Sequence, residues 1–173
     1  MEPPPRDYAL DAAAPTRFEL EAIGVVRSPH LERHGTPRQA HLPAKPGDRP
    51  TEESSIELFE HAQPERSLRD LAGFDYVWVL AWLHLNHGWR PQVVPPRGPR
   101  VRRGLFATRA PHRPNPVGLS AARIISVDVD SGSLRLERLD LLDGTPVLDL
   151  KPYVPSADAF PDARAGWVDA LDG

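Results

Sequence analysis

Phe74–Asn86 reads FDYVWVLAWLHLN. Phe74, Tyr76, Trp78, Leu80 and Trp82 alternate with Asp75, Val77, Val79, Ala81 and Leu83. A period of two sends the two sets to opposite faces of a strand. Both sets are largely apolar, so the stretch predicts a central strand buried on both sides.

The neighbouring segments repeat the theme. RFELEAIGVVRSP alternates Phe18 and Leu20 with glutamates, continues through Ile23, Val25 and Val26, and stops at Ser28-Pro29. Ser55–Glu60 reads as a short strand. QPERSLRDLAG (63–73) fits a short helix, with Pro64 in its first turn, Leu68 and Leu71 on one face and Gly73 at its end. VGLSAARIISVDVD (117–130) and SLRLERLDLL (133–142) predict two strands about an Asp130-Ser131-Gly132 hairpin turn. In the second, Leu134 and Leu136 hold one parity while Leu139 and Leu141 hold the other, which predicts a bulge near Glu137-Arg138. DGTPVLDLKPYVP (143–155) gives a turn, a strand and a further turn. The sum predicts an all-β or β-rich domain over residues 17–159, closed into a barrel, with short helices and long proline-rich loops. Residues 1–16, rich in Pro and Ala, are expected to be a flexible tail, and residues 160–173 a C-terminal tail.

The chain has 173 residues, 21 prolines and no cysteine. Absence of cysteine excludes disulfides, thiolate zinc sites and cysteine nucleophiles. No apolar run is long enough to cross a bilayer, and the start lacks a basic stretch followed by an apolar one. A cytoplasmic protein is the expectation, without a membrane partner. The net charge is −3, yet no Asp or Glu falls between Asp75 and Asp128, an interval holding Arg90, Arg97, Arg100, Arg102, Arg103, Arg109, Arg113 and Arg123. Such asymmetry points either to an anionic partner, phosphate or nucleic acid, or to a basic face balanced by acidic segments elsewhere.

RGLFATRAPHRPNPVGLS (103–120) lies inside that interval. Its three prolines bar a helix or a central strand. It is either a stiff connection turning at Asn115-Pro116, or a preorganised ligand loop carrying Arg109, His112, Arg113 and Asn115, with Gly118 permitting close backbone approach. Neither glycine-rich phosphate motif occurs. His84 and His87 have a metal-compatible spacing, but with no thiolate or nearby acid the expectation is no metal. Ser120, His112 and Asp140 supply hydrolase residue types without a G-x-S-x-G elbow. Asp140, Asp143, Asp149 and Lys151 sit in an apolar frame. Asp143-Gly144 there is a simple turn, or these polar groups await a polar ligand.

IGVVRSP, TPRQ, GFDYVWVLAWLH, GLFATRAPHRPNPVGLS and LDLLDGTPVLDLKPYVP occur in this order and resemble the TsaA-like family, also called TrmO or the YaeB type, from about Phe18 to Ala159. The resemblance implies a single-sheeted antiparallel β-barrel that binds S-adenosyl-L-methionine, commonly as a homodimer. It implies N6-methylation of threonylcarbamoyladenosine beside the anticodon of tRNA. Matched position by position, the cofactor-facing residues are Pro37, Arg38 and Gln39 in the first long loop, then His84 and Leu85 after the buried strand. Arg109 and Leu119 follow, and then Asp140, Leu141, Leu142, Asp143, Gly144, Thr145 and Pro146. Leu85 stands where the family commonly has Gln; a backbone contact survives that change and a side-chain contact does not. Longer members carry a second domain after the barrel.

The N6 amine is a weak nucleophile, and acceptors for its protons assist transfer. Asp140, Asp143 and the Asn115 carbonyl are the catalytic candidates. Arg113, Lys151 and His112 are the substrate-binding candidates, the first two as clamps for the threonylcarbamoyl carboxylate. A methyltransferase of this fold acting on a small molecule, and a non-catalytic cofactor- or RNA-binding module, are the alternatives.

Overall fold

The computed structural model describes residues 15–32, 36 and 53–172. Eight strands are present among these: β1 (Gly24–Arg27), β2 (Ser54–Leu58), β3 (Tyr76–Trp82), β4 (Gln92–Val93), β5 (Arg103–Gly104), β6 (Val117–Asp128), β7 (Ser133–Leu136) and β8 (Pro146–Pro152). Three short helices accompany them: α1 (Pro64–Ser67), α2 (Pro155–Asp158) and α3 (Asp169–Asp172). Six strands close into an antiparallel barrel in the order β1-β2-β7-β6-β3-β8, while β4 and β5 form a separate two-stranded ribbon. Closure leaves the barrel no unpaired edge.

β3 occupies the position its alternation predicts, between β6 and β8. Val77, Val79 and Ala81 are fully buried. The opposite set is only half-covered, with Tyr76 39% exposed, because a barrel has one dry side. The expectation of burial on both faces is thus corrected. What covers the outer side is aromatic: Trp78 lies 5.5 Å, centroid to centroid, from Tyr153, and its Nε1 donates to Asp158 Oδ2 of α2 at 3.1 Å. Inside, Val26, Ile56, Ala122, Leu134, Leu136 and Val147 join the β3 residues.

Several boundaries differ from the sequence reading. β1 is confined to Gly24–Arg27, and Phe18 and Leu20 are exposed. The 63–73 helix breaks: α1 ends at Ser67, and Asp70, at φ +67°, precedes a separate turn at Leu71–Gly73. The register shift lies in β6 between Ile124 and Ser126, and β7 ends at Leu136. The parity change at Glu137-Arg138 therefore marks the chain leaving the sheet. Leu139 and Leu141 return to the core from irregular backbone, and Asp140 between them is not in a strand. The hairpin turn forms as read, with Gly132 at φ +67°.

Antiparallel order all round the barrel has a topological consequence. Val25 faces Pro146, Arg27 faces Ser55, Ser54 faces Leu136, and Trp82 faces Val117. The connections β1–β2 (28–53), β3–β6 (83–116) and β7–β8 (137–145) therefore all emerge at one end. The opposite end carries 59–75 and the 129–132 hairpin, with Leu68 buried beneath α1. Among the described residues no helix is long and apolar enough to cross a membrane.

Candidate functional site

The three connections at the one end carry nearly all the candidate residues. β7–β8 is held by the end of β1. The Asp143 amide donates to the His30 carbonyl at 2.9 Å, and the Gly144 amide donates to the Val26 carbonyl at 2.9 Å. The Val26 amide returns a bond to the Thr145 carbonyl at 2.9 Å, and the Ser28 amide donates to Asp143 Oδ1 at 3.0 Å. Gly144 takes φ +74°, a conformation that side chains disfavour, so glycine is required for this turn. Thr145 and Leu141 are buried, while Leu142, Asp143 and Pro146 are half-buried. Asp143 thus holds its own turn in place with one carboxylate oxygen.

Asp140 sits three residues earlier, half-buried. Ser120 on β6, 7% exposed, donates its hydroxyl to Asp140 Oδ1 at 2.5 Å. Ser120 is opposite Val79 and therefore on the interior side of β6. Its neighbour Leu119, opposite Leu80, points outward and is 59% exposed.

The β3–β6 connection supplies the remainder. His84 and Leu85 follow β3 directly and are exposed. Arg109 is exposed, as is Asn115, whose backbone carbonyl accepts from the Val117 amide at 2.8 Å. His112 and Arg113 are half-buried. Arg113 Nη1 donates to the Thr108 carbonyl at 3.0 Å and the Ala110 carbonyl at 3.3 Å, folding the motif back on itself. The proline-rich stretch is therefore a braced connection that leaves the barrel at the same end as the Asp143-Gly144 turn.

Lys151 is not brought to this end. It lies on the outer wall opposite Trp78, paired with Asp149 at 2.8 Å. The hydrogen bond that Lys151 donates to Asp149, reinforced by the Asp149 charge, raises the Lys151 pKa above the ordinary lysine value. Pro37, Arg38 and Gln39 lie outside the described residues. No group of three His, Cys, Asp or Glu able to hold a metal occurs among the described residues.

Ser120 stands in the sequence reading beside Asp140 only as a hydrolase residue type, and its bond to that carboxylate is not legible there. One participant escaped the sequence reading altogether. Trp167, expected in a tail, donates its Nε1 to the Ala107 carbonyl at 2.8 Å, beside Arg109 in the chain. Nothing in the local pattern of residues 160–172 signals that return.

This end of the barrel thus carries two half-buried carboxylates, Asp140 and Asp143, on one connection and the exposed Leu85 and Arg109 on another. Comparison with known proteins bears on what this end does. The family model for the tRNA-methyltransferase O N-terminal domain matches residues 25–159. A tRNA (adenine(37)-N6)-methyltransferase of Escherichia coli (strain K12) is 42% identical over 156 residues, covering 87% of this chain and 64% of the relative. A probable S-adenosyl-L-methionine-binding protein of Methanothermobacter thermautotrophicus is 42% identical over 145 residues, covering 83% of this chain and 95% of that protein. The crystal structure of TrmO from Pseudomonas aeruginosa superposes with a TM-score of 0.69 at 37% identity, over 87% of this chain and 62% of that one. The chain thus spans just under two thirds of the length of the E. coli enzyme. With a family match across most of its length and relatives at these identities, the chain belongs to the tRNA-methyltransferase O N-terminal domain family.

Proposed function

We propose that the protein transfers a methyl group from S-adenosyl-L-methionine to N6 of the threonylcarbamoyl-modified adenosine beside the anticodon of tRNA. What supports this reading is that the β3–β6 and β7–β8 connections, which carry Leu85, Arg109, Asp140 and the Asp143-Gly144 turn, leave the barrel at the same end, where Ser120 is bonded to Asp140. The E. coli relative that is 42% identical is named for methylation of adenine 37 in tRNA.

The donor set fits the cofactor. Carboxylates suit a sulfonium centre, Leu85 and Leu119 offer apolar surface, and the Asp143-Gly144 turn brings backbone close. When bound, the cofactor supplies an electrophilic methyl on sulfur, so the chain's work is mainly positioning. Asp140 would accept the proton that the N6 amine loses on methylation. Ser120 fixes that carboxylate, and the Asn115 side-chain carbonyl accepts from the amine. Asp143 keeps the β7–β8 turn in shape. Arg109 holds the anionic end of the cofactor, while His112 and the face of Arg113 not turned to its own loop meet the threonylcarbamoyl carboxylate. The other arginines between Asp75 and Asp128 hold tRNA phosphates, which makes binding weaken as salt rises.

The protein works in the cytoplasm as a homodimer, a second copy covering the exposed Trp89, Val94 and Val101. The relative of similar length is named for cofactor binding alone, which favours a second reading, the same transfer to a different acceptor. Incubation with labelled cofactor and tRNA, with and without the threonylcarbamoyl group, followed by nucleoside mass spectrometry, separates them. Label on N6 of the modified adenosine supports the first reading. Cofactor binding with no label in either tRNA supports the second.

A further inference from the structure

Phe106 is 77% exposed, although the turn that bears it is braced from several sides. Leu105, 2% exposed, anchors one side. The Leu105 carbonyl accepts from Thr108 Oγ1 at 2.8 Å, and Trp167 Nε1 reaches the Ala107 carbonyl at 2.8 Å from the far end of the chain. The Trp167 ring is in turn held beneath the Arg103 guanidinium, 5.5 Å being the corresponding distance from Arg113 to the Phe106 ring and 5.3 Å from Arg103 to Trp167. Arg113 is itself tied to the Thr108 and Ala110 carbonyls.

A large apolar ring gains nothing by being held rigid in water. Preorganisation of this kind lowers the entropy lost on meeting a partner. The partner's chemistry follows from the surroundings. Arg113 stands over the ring, Arg103 and Arg109 each lie three residues from Phe106 in the chain, and no acidic residue occurs in the sequence between Asp75 and Asp128. An aromatic face beside several guanidinium groups suits unpaired bases of single-stranded RNA, whose flat faces stack while the arginines meet the phosphates. An apolar protein surface would not call for the arginines. We propose that Phe106 stacks on a nucleobase flanking the adenosine that receives the methyl group, and that Trp167 is the positioning residue that braces it. This rests on the tRNA reading above.

The test compares wild type with Phe106→Ala, Phe106→Leu, Phe106→Trp and Trp167→Ala in the full chain. It measures KM for threonylcarbamoyl-modified tRNA, the dissociation constant for S-adenosylmethionine, and molar mass by sedimentation. Phe106→Ala raises KM for the tRNA about tenfold, the order expected for one lost stack, with cofactor affinity and mass unchanged. Phe106→Trp restores the KM and Phe106→Leu does not. Trp167→Ala raises the same KM several-fold while kcat stays within about twofold. An unchanged KM in Phe106→Ala would overturn the proposal. So would full rescue by leucine, or a drop in mass showing that the ring serves self-association. Fluorescence anisotropy on the same tRNA reads the stack without turnover. Wild type that binds through Phe106 yet transfers no methyl sinks the methyltransferase reading and leaves the stack standing.

Discussion

The Ser120 hydroxyl donates to Asp140 Oδ1 at 2.5 Å, joining the first residues of β6 to the connection between β7 and β8. These residues belong to two different candidate stretches of sequence, and the bond places both at one end of the barrel. If Asp140 takes the N6 proton, Asp140→Asn lowers kcat by about 100-fold or more, within the usual range for a lost general base. Cofactor affinity and melting temperature change little. Single-turnover kinetics reads this directly, and wild-type kcat in the variant moves the proton to another group.

Asp143 makes a different prediction, because its Oδ1 serves the Ser28 amide. Asp143→Ala leaves that half-buried donor without its charged acceptor, at a cost of about 1–3 kcal/mol in urea unfolding. Asp143→Asn keeps an acceptor and loses less. Equal losses in the two variants would show that the bond contributes little.

How much of this was legible beforehand depends on the range of the interaction. Alternation along Tyr76–Trp82 was enough for β3, because strand facing is local and Val77, Val79 and Ala81 repeat at the strand period. Whether the other face was dry could not be read, since Trp78 and Leu80 are apolar whether they pack on a second layer or on Tyr153 and α2. The parity change after Leu136 was visible but not its cause. A bulge and an exit from the sheet shift the leucines alike, and only the pairing of β6 decides between them. Asp143-Gly144 was readable as a turn from its glycine. The bond from Ser28, 115 residues away, was not. The loop motif carried its stiffness in its prolines, whereas its brace, Trp167, arrives from 60 residues further along.

The inside and outside of the barrel separate in a stability experiment. Leu134 is fully buried among Ile56 and its neighbours, so Leu134→Ala costs about 2–5 kcal/mol. Val117, 37% exposed on the outer face opposite Trp82, becomes alanine for about 0.5 kcal/mol or less. Chemical denaturation of both gives the comparison, and similar costs would contradict the assigned facing.

The β6–β7 hairpin predicts a pH effect. The Ser131 side chain, with the amides of Ser131 and Asp130 at 3.1 Å, holds the Asp128 carboxyl below the ordinary aspartate value. A carboxyl depressed by folding stabilises the protein above its unfolded pKa, about 3.9, and loses that contribution as pH falls through the folded value. The gap in denaturation midpoint between wild type and Asp128→Ala is therefore present at neutral pH and narrows in acid below about pH 4. A gap independent of pH would assign the effect to the turn's backbone instead.

A crystal structure with S-adenosylhomocysteine, the product that cannot transfer a methyl, tests the site most directly. The account predicts density at the end where the β1–β2, β3–β6 and β7–β8 connections meet, in contact with Arg109 and the Asp143–Pro146 turn. Density along the outer wall by Lys151, or at the hairpin end by Gly132, would contradict it.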